Sequence, residues 1–232
     1  KTTARIGVTR EGVITAIEAT TVMDTGAYLS SGPGVIRRAG QGFLYLYRCP
    51  NVRYKGYLVY TNTPSAGSYR ALGAPQGHFA LESIVDEVAE KIGMDPLDFR
   101  MRNHVPREGQ PGERVTPVDQ IVDTQPVEGG IPFSSNGLSD CLKLGSRAIN
   151  WNARDSSKIL QSSIKRGMGM SMFIYRGGPG GTAESSVTLD QHGIYEVSVG
   201  IMDVGEGSTT VLLQMASEIL GTDPGSVSLR VG

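Results

Sequence analysis

The spacing of hydrophobic residues changes several times along the chain and predicts a mixture of strands and helices. Residues 4 to 29 alternate apolar and polar positions on either side of a turn at residues 10 to 12, which predicts a β-hairpin. Residues 43 to 60 are rich in Tyr, Leu and Val around a central Pro-Asn pair, which predicts two strands joined by a turn.

Helical spacing follows. Residues 74 to 92 carry apolar side chains at three- and four-residue intervals, which predicts an amphipathic helix ended by Gly93. Asp95 and Pro96 then begin a short predicted helix, because Asp is a favoured N-cap and Pro is tolerated in the first turn. Further predicted elements are helices over residues 138–152 and 208–221 and a strand over residues 165–174.

The organisation of the chain is predicted to be two-part. Residues 105 to 137 are dense in Pro, Gly, Glu and Asp without periodicity, which indicates a long loop or linker, and residues 176–181 form a Gly-rich loop. A hairpin over residues 187–200 leads to Met-Asp at the same distance as the first hairpin does, which suggests a weak internal repeat. The chain starts without Met inside one predicted strand and stops in another, so we expect a fragment. The mixture of predicted strands and helices indicates an α+β fold.

Composition narrows the possible partners. A net charge of -1, with 22 basic and 23 acidic residues interspersed, offers no electrostatic reason to expect nucleic acid or an anionic membrane. The two cysteines lie far apart, which argues against a disulfide framework or a CxxC site and favours a cytoplasmic location. The three histidines are scattered, and without metal-ligand spacing they are interpreted as surface or packing residues.

Two small-residue loops run directly into predicted helices. Residues 68–76 contain one arginine before the long helix, and residues 203–209 contain a Gly-Glu-Gly sequence before the last helix. Helix N-termini favour anions, so either loop is a candidate for a phosphate- or pterin-bearing ligand. An ordinary start of a helix, with a solvated arginine in the first case, explains the same residues, and both interpretations stay open.

Five blocks occur in the order and spacing found in the molybdopterin-binding large subunits of the xanthine dehydrogenase/aldehyde oxidase family. They are residues 24–28 (DTGAY), 69–76 (YRALGAPQ), 82–87 (ESIVDE), 93–100 (GMDPLDFR) and 203–207 (DVGEG). The chain therefore resembles an internal fragment of such a subunit. The resemblance implies mixed sheets with packed helices inside a two-lobed cofactor-binding domain: residues 1–110 complete the first lobe, residues 111–137 link, and residues 138–232 begin the second.

The resemblance also implies roles for four residues of the first half. A family loop of the form Arg-Gly-Phe-Gly touches the pterin, so Arg70 is expected to contact the cofactor and Gly73 to permit close passage. Here Ala71 and Leu72 replace the Gly and the Phe, and a leucine lacks the flat aromatic face that packs against a purine. Arg38 aligns with an arginine that contacts substrate in xanthine-oxidising members, where a guanidinium stabilises growing negative charge. Leu72 and Arg38 are the predicted substrate-binding residues, and they favour different substrates.

In the second half, Gly205, Glu206 and Gly207 stand where the family has a cofactor-binding Gly-Gln-Gly element. An amide donates and accepts hydrogen bonds, whereas an ionised carboxylate only accepts. Beside an anionic cofactor, Glu206 is therefore expected to be protonated, turned away or paired with a cation.

The family's general-base glutamate and its Phe-Gly loop facing the metal do not occur here, so we expect no catalytic residue in this segment. The resemblance implies an enzyme that hydroxylates a heterocycle or aldehyde with water-derived oxygen, with a molybdopterin-type cofactor and with iron-sulfur clusters and FAD on partner subunits. Two alternatives stay open. One is a non-catalytic homologue that serves as an assembly or binding module. The other is an active family member on another substrate class, such as an aldehyde, a nicotinate-like heterocycle or an aryl-CoA.

Overall fold

The computed structural model describes residues 1–105, 136–154, 167–175 and 183–232, which fall into two compact units, residues 1–175 and 176–232. Each unit contains both helices and strands, which confirms the predicted α+β fold class. The elements of the first unit are β1 (Thr2–Val8), β2 (Ile14–Gly26), α1 (Gly32–Ala39), α2 (Gln41–Tyr45), β3 (Val52–Tyr60), α3 (Ala74–Lys91), α4 (Pro96–Asn103) and α5 (Leu138–Ala148).

The first sheet has the order β1-β2-β3, in which the predicted hairpin pairs antiparallel and β3 joins β2 in parallel. A parallel neighbour needs a crossover connection, and here α1 and α2 supply it. Along β2, Ile17, Ala19 and Thr21 are buried at alternate positions. One face of this strand is therefore directed at the core.

The prediction of two strands over residues 43–60 is half wrong. Residues 52–60 form β3, whereas Phe43 lies in α2 and Tyr47 makes only an isolated bridge with His104. Phe43, Leu46 and Tyr47 are all at most 1% exposed, and their i, i+3, i+4 spacing is the helical one. The β propensity of these aromatic and branched residues is overridden because a helical turn brings all three into the core.

Helix α3 confirms the predicted amphipathic helix, with Leu81, Val85 and Ala89 fully buried. Gly77 of α3 lies against α1, where an added Cβ would overlap the Ala39 carbonyl group. Helix α4 is capped as predicted, since the Asp95 side chain accepts a hydrogen bond from Leu97 N at 2.7 Å. Close helix packing and local capping therefore hold these two helices.

Residues 138–154 and 167–175 pack on the earlier elements of the first unit. Helix α5 ends at Ala148, before the residue 152 predicted, and a 3₁₀ turn follows at Trp151–Ala153. Of the strand predicted over residues 165–174, the described part from residue 167 is not a strand. Its backbone N–H groups at Met172 and Ile174 bond to side chains of α3 and not to another strand.

The second unit contains β4 (Ser185–Leu189), β5 (Tyr195–Val199), α6 (Ser208–Leu220) and β6 (Val227–Val231). Its sheet has the order β4-β5-β6, with an antiparallel hairpin and then a parallel strand reached through a helix. The first sheet is built in the same way, which supports the suggested repeat. On α6 the predicted apolar face is only partly covered, because Val211, Met215 and Ile219 are 50%, 52% and 82% exposed.

Most of the linker predicted over residues 111–137, and the Gly-rich loop at residues 176–181, lie outside the described residues. The compact units divide at residue 175, whereas the sequence places the lobe boundary in that linker. The packing of residues 138–154 and 167–175 on α3 and α4 accounts for the difference. Among the described helices, none combines the length and apolar character needed to cross a membrane.

Candidate functional site

The loop that carries Arg70 has an unusual backbone. Ala71, Leu72 and Gly73 have φ angles of +66°, +50° and +93°, so three consecutive residues occupy the left-handed region. Hydrogen bonds from Leu72 N to Tyr69 O (2.7 Å) and from Ala74 N to Ala71 O (3.0 Å) hold this shape. Left-handed geometry is costly for residues with a Cβ and is typical of functional loops.

Gly73 is required at its position for two reasons. Its φ is positive, and a Cβ added there would lie well inside 3.0 Å of the Val35 carbonyl oxygen in α1. The structure shows Gly73 letting the loop pass close to the backbone of α1. A role for Gly73 towards a cofactor stays a prediction.

Around this loop, Arg70 is exposed and Leu72 is half-buried immediately before the first turn of α3. Ser68 Oγ donates to Ser31 Oγ at 2.6 Å and fastens the loop to the start of α1. Phe79, in the second turn of α3, is 78% exposed although it belongs to a helix with a buried face. The loop thus presents an arginine beside a helix N-terminus, which is the chemistry of an anion site.

Arg38 lies in the last turn of α1 and is half-buried, whereas its neighbour Arg37 is exposed. Its guanidinium carbon is 4.9 Å from the centroid of the Tyr175 ring, within cation–π range. A cation in the last turn is also favoured by the helix dipole.

His78 is buried in α3 and has both ring nitrogens engaged. Its Nε2 accepts a hydrogen bond from Ile174 N at 3.1 Å, so Nδ1 carries the proton and donates to Ala74 O at 2.7 Å. Burial lowers the pKa of His78 below its usual value. Its ring lies 4.2 Å from that of Phe173, so the histidine is a packing residue, as interpreted from the sequence.

A buried polar network next to His78 was missed by the sequence reasoning. Glu82 accepts hydrogen bonds from Tyr47 Oη (2.5 Å), Arg100 Nε (2.9 Å) and Met172 N (2.7 Å). Arg100 is completely buried and also donates to Asp86 at 2.7 Å. Burial, followed by the charge of Glu82, holds the pKa of Tyr47 well above its usual value. Glu82 and Arg100 both lie in the family blocks. The signal in the sequence that could have indicated this network was an acidic residue, Glu82, directly beside Leu81 on the predicted amphipathic helix.

In the second loop, Gly205 and Gly207 have φ angles of +98° and +85°. The carboxylate of Asp203 accepts hydrogen bonds from Gly205 N (2.8 Å), Gly207 N (3.4 Å) and Thr209 N (3.3 Å). Hydrogen bonds from these loop donors lower the pKa of Asp203, with that from Gly205 the largest cause. The start of α6 is therefore satisfied by an acidic residue of the same loop.

Glu206 is also turned onto its own loop. One carboxylate oxygen accepts from Val204 N at 2.9 Å, and the other accepts from Ser208 Oγ. The hydrogen bond from Ser208 is the largest cause of a lowered pKa at Glu206. Of the three states expected for this residue, the protonated one is disfavoured, and the geometry is that of a carboxylate turned towards loop donors.

The predicted site residues thus fall into three groups: Arg38, the loop with Arg70, Leu72 and Gly73, and the loop at residues 205–207. Tyr175, which contacts Arg38, was not predicted. The first two groups belong to the first unit and the third to the second unit. Within the described ranges, acidic, histidine and cysteine side chains form no group of three able to hold a metal ion.

Each unit contains a strand that leads through a loop with positive-φ glycine into a helix, at Gly73 before α3 and at Gly205 and Gly207 before α6. Residues 1–104 and residues 144–232 each match a family model described as a molybdopterin cofactor-binding domain. The chain belongs to the xanthine dehydrogenase/aldehyde oxidase family of molybdopterin-binding subunits, which confirms the resemblance read from the sequence.

Relatives in this family align with almost the whole of this chain. The xanthine dehydrogenase molybdenum-binding subunit of Escherichia coli O157:H7 is 33% identical over 222 residues, which cover 94% of this chain and 28% of the relative. The aldehyde oxidoreductase of Megalodesulfovibrio gigas is 30% identical over 213 residues, 91% of this chain and 22% of the relative. The structure of aldehyde oxidoreductase from Desulfovibrio desulfuricans ATCC 27774 matches with a TM-score of 0.78 at 28% identity, covering 100% of this chain and 24% of that one.

The chain thus spans between 22% and 28% of the length of these relatives, which are oxidoreductases. Family membership defines the cofactor class, whereas the individual roles of the site residues stay predictions.

Proposed function

We propose that this chain is a segment of the molybdenum-binding subunit of a hydroxylase that oxidises a heterocycle or an aldehyde with oxygen derived from water. The observation that carries the proposal is the Arg70 loop, whose three left-handed residues lead into α3. Backbone strain at a loop that also presents a cation is a mark of a ligand site. When bound, the molybdenum cofactor supplies two-electron redox chemistry.

The donors of the first loop suit an anionic pterin cofactor. Arg70 is exposed and offers a planar set of N–H donors, and the N-terminus of the 18-residue helix α3 follows it. In this proposal Arg70 binds the cofactor, and Gly73 keeps the loop close to α1. The loop position is then set by α1 and not by the ligand.

We assign substrate binding to Arg38 and Leu72. The half-buried guanidinium of Arg38 is suited to a substrate that gains negative charge, such as an N-heterocycle or a carbonyl compound. Leu72 offers aliphatic contact without a ring face, so a purine loses the stacking partner that selects it. Within this proposal xanthine is therefore a weaker candidate substrate than nicotinate-like compounds, aldehydes and aryl-CoA.

The second loop bears on an alternative function. Asp203 and Glu206 already accept the N–H groups at residues 204, 205, 207 and 209. An anion approaching this loop meets two carboxylates, which favours a homologue that has lost cofactor binding and acts as an assembly or binding module. This alternative competes with the hydroxylase in the first experiment.

That experiment uses the complete subunit co-expressed with the iron-sulfur and FAD subunits that we propose as partners. Molybdenum content by elemental analysis, and fluorescence of the oxidised pterin released by acid, report cofactor binding. Stoichiometric molybdenum and pterin, both lowered by Arg70→Ala but not by Arg37→Ala, support the hydroxylase. A well-assembled protein with neither supports the non-catalytic alternative.

Glu206→Gln provides a test of the second loop. The glutamine carbonyl accepts from Val204 N, and its amide donates to Ser208 Oγ, so the loop shape is kept while the negative charge is removed. We expect molybdenum content in the complete subunit to be retained or increased. A loss of molybdenum from a folded variant contradicts the argument that the negative charge of Glu206 opposes an anionic cofactor at this loop.

Three further assignments complete the proposal. Residues 1–110 complete one cofactor-binding lobe, residues 111–137 link, and residues 138–232 begin the next, in keeping with two separate family matches. The segment alone is inactive, because the base glutamate and the loop facing the metal lie elsewhere in the enzyme. A cytoplasmic location is supported by the free thiols of Cys49 and Cys141.

A further inference from the structure

The segment from Met172 to Tyr175 is held by two side chains of α3 that lie one helical turn apart. Glu82 accepts the N–H of Met172 at 2.7 Å, and His78 accepts the N–H of Ile174 at 3.1 Å. Both acceptors are buried, and Glu82 is itself fastened by Tyr47 and Arg100. Hydrogen bonds to alternate residues set the register of this segment on the helix.

That register determines which way the neighbouring rings point. Met172 is buried in the core, Phe173 and Tyr175 are exposed, and Ile174 is intermediate, so burial alternates as it does along an edge strand. Phe173 lies against His78 with ring centroids 4.2 Å apart. Two residues further, the Tyr175 ring lies against the guanidinium of Arg38, 4.9 Å from its central carbon.

We propose that Tyr175 is a positioning residue that orients Arg38 towards the substrate, with His78 and Glu82 placing Tyr175. The negative face of an aromatic ring attracts a guanidinium over it and restricts the rotamers of a long side chain. An oriented donor stabilises charge that develops during the reaction without reorganising at that moment. This inference rests on the proposed role of Arg38, and it adds a residue 137 positions further along the chain.

The test is a double-mutant cycle in the complete enzyme. Wild type is first assayed with xanthine, nicotinate and benzaldehyde, and the probe with measurable turnover is kept. Tyr175→Leu removes the ring face, Tyr175→Phe keeps it, and Arg38→Gln removes the cation. Tyr57→Leu is the matched control, since Tyr57 is a partly exposed tyrosine of the same unit, on β3. Rates are compared at equal molybdenum content.

We expect Tyr175→Leu to lower kcat by about two- to tenfold, the range of a partly exposed cation–π contact, while KM changes less. Tyr175→Phe and Tyr57→Leu keep wild-type rates. In the Arg38→Gln background, Tyr175→Leu has no further effect, because the residue through which it acts is gone. If Tyr175→Leu does not assemble, Tyr175→Met takes its place in the cycle.

Two failures are distinguishable. An equal loss from Tyr175→Leu in both backgrounds overturns the positioning role and leaves Arg38 as a substrate residue. No loss from Arg38→Gln in a molybdenum-loaded enzyme overturns the proposed role of Arg38 itself, and the positioning role with it.

Discussion

Replacing Gly73 with alanine tests the geometry of the Arg70 loop most directly. The substitution has two costs in the structure. The first is the positive φ of +93°, and the second is the overlap between the new Cβ and the carbonyl group of Val35. Because that neighbour is backbone, it moves only together with α1.

The magnitude follows from a comparison with Gly93, which has a φ of +69° but nothing within 4 Å of an added Cβ. Gly93→Ala therefore carries the conformational cost alone, about 1–2 kcal/mol. Gly73→Ala carries the same cost and a further displacement of packed backbone, which adds about 1–3 kcal/mol. The free energy of unfolding is expected to fall by at least about 2 kcal/mol at Gly73, and by clearly less at Gly93.

The assay is equilibrium unfolding of the full chain in urea, with thermal unfolding as a second probe. For chains of this length, 1 kcal/mol changes Tm by about 2–4 °C, so the two variants are readily separated. Equal losses of stability from Gly73→Ala and Gly93→Ala would refute the close approach between the loop and α1. The Arg70 loop would then need a support other than Val35.

Three more stability predictions concern the same unit. Ala71→Gly relieves a left-handed alanine at φ +66° and is expected to raise the free energy of unfolding by about 0.5–1 kcal/mol; an unchanged urea midpoint contradicts the backbone assignment. Arg100→Met leaves the buried carboxylate of Glu82 without its cation and is expected to lower the free energy of unfolding by about 3–5 kcal/mol. Arg53→Met, at an exposed ion pair, is expected to lower it by under about 1 kcal/mol. Equal urea midpoints for the two variants would argue against a buried network. Burial lowers the pKa of His78 below its usual value of 6.5, so the folded chain binds fewer protons than the unfolded chain as pH falls below 6.5, and the free energy of unfolding declines from there towards the lowered folded pKa. His78→Gln should reduce this decline in urea unfolding measured between about pH 7.5 and 5. An unaltered pH dependence of stability would count against this reasoning.

The sequence predicted elements whose signals are local. Helix α3 has a repeating apolar face, α4 has an Asp cap with a Pro behind it, and the two hairpins have alternating positions around turns. These signals act within a few residues, so they survive in any tertiary context. The ordered family blocks likewise indicated the cofactor class without a structure.

Residues 32 to 47 show where local signals fail. The sequence did not reveal α1, and tyrosine and leucine in α2 suggested a strand, yet the core requires Phe43, Leu46 and Tyr47 on one side. The last part of the predicted strand over residues 165–174 failed for a related reason. A strand needs a partner strand, and His78 and Glu82 accept its N–H groups in place of one.

For the candidate site, the sequence determined which residues have suitable chemistry, and the tertiary structure decided how they are held. Small residues before predicted helices and the family blocks indicated the loops with Arg70 and with Glu206. Alanine and leucine disfavour left-handed backbone, so the run at Ala71 and Leu72 was not predictable. Contacts between residues 90 and 96 positions apart place the segment that ends at Tyr175. Periodicity and capping act over one or two turns, whereas such contacts exist only after the core brings distant parts of the chain together.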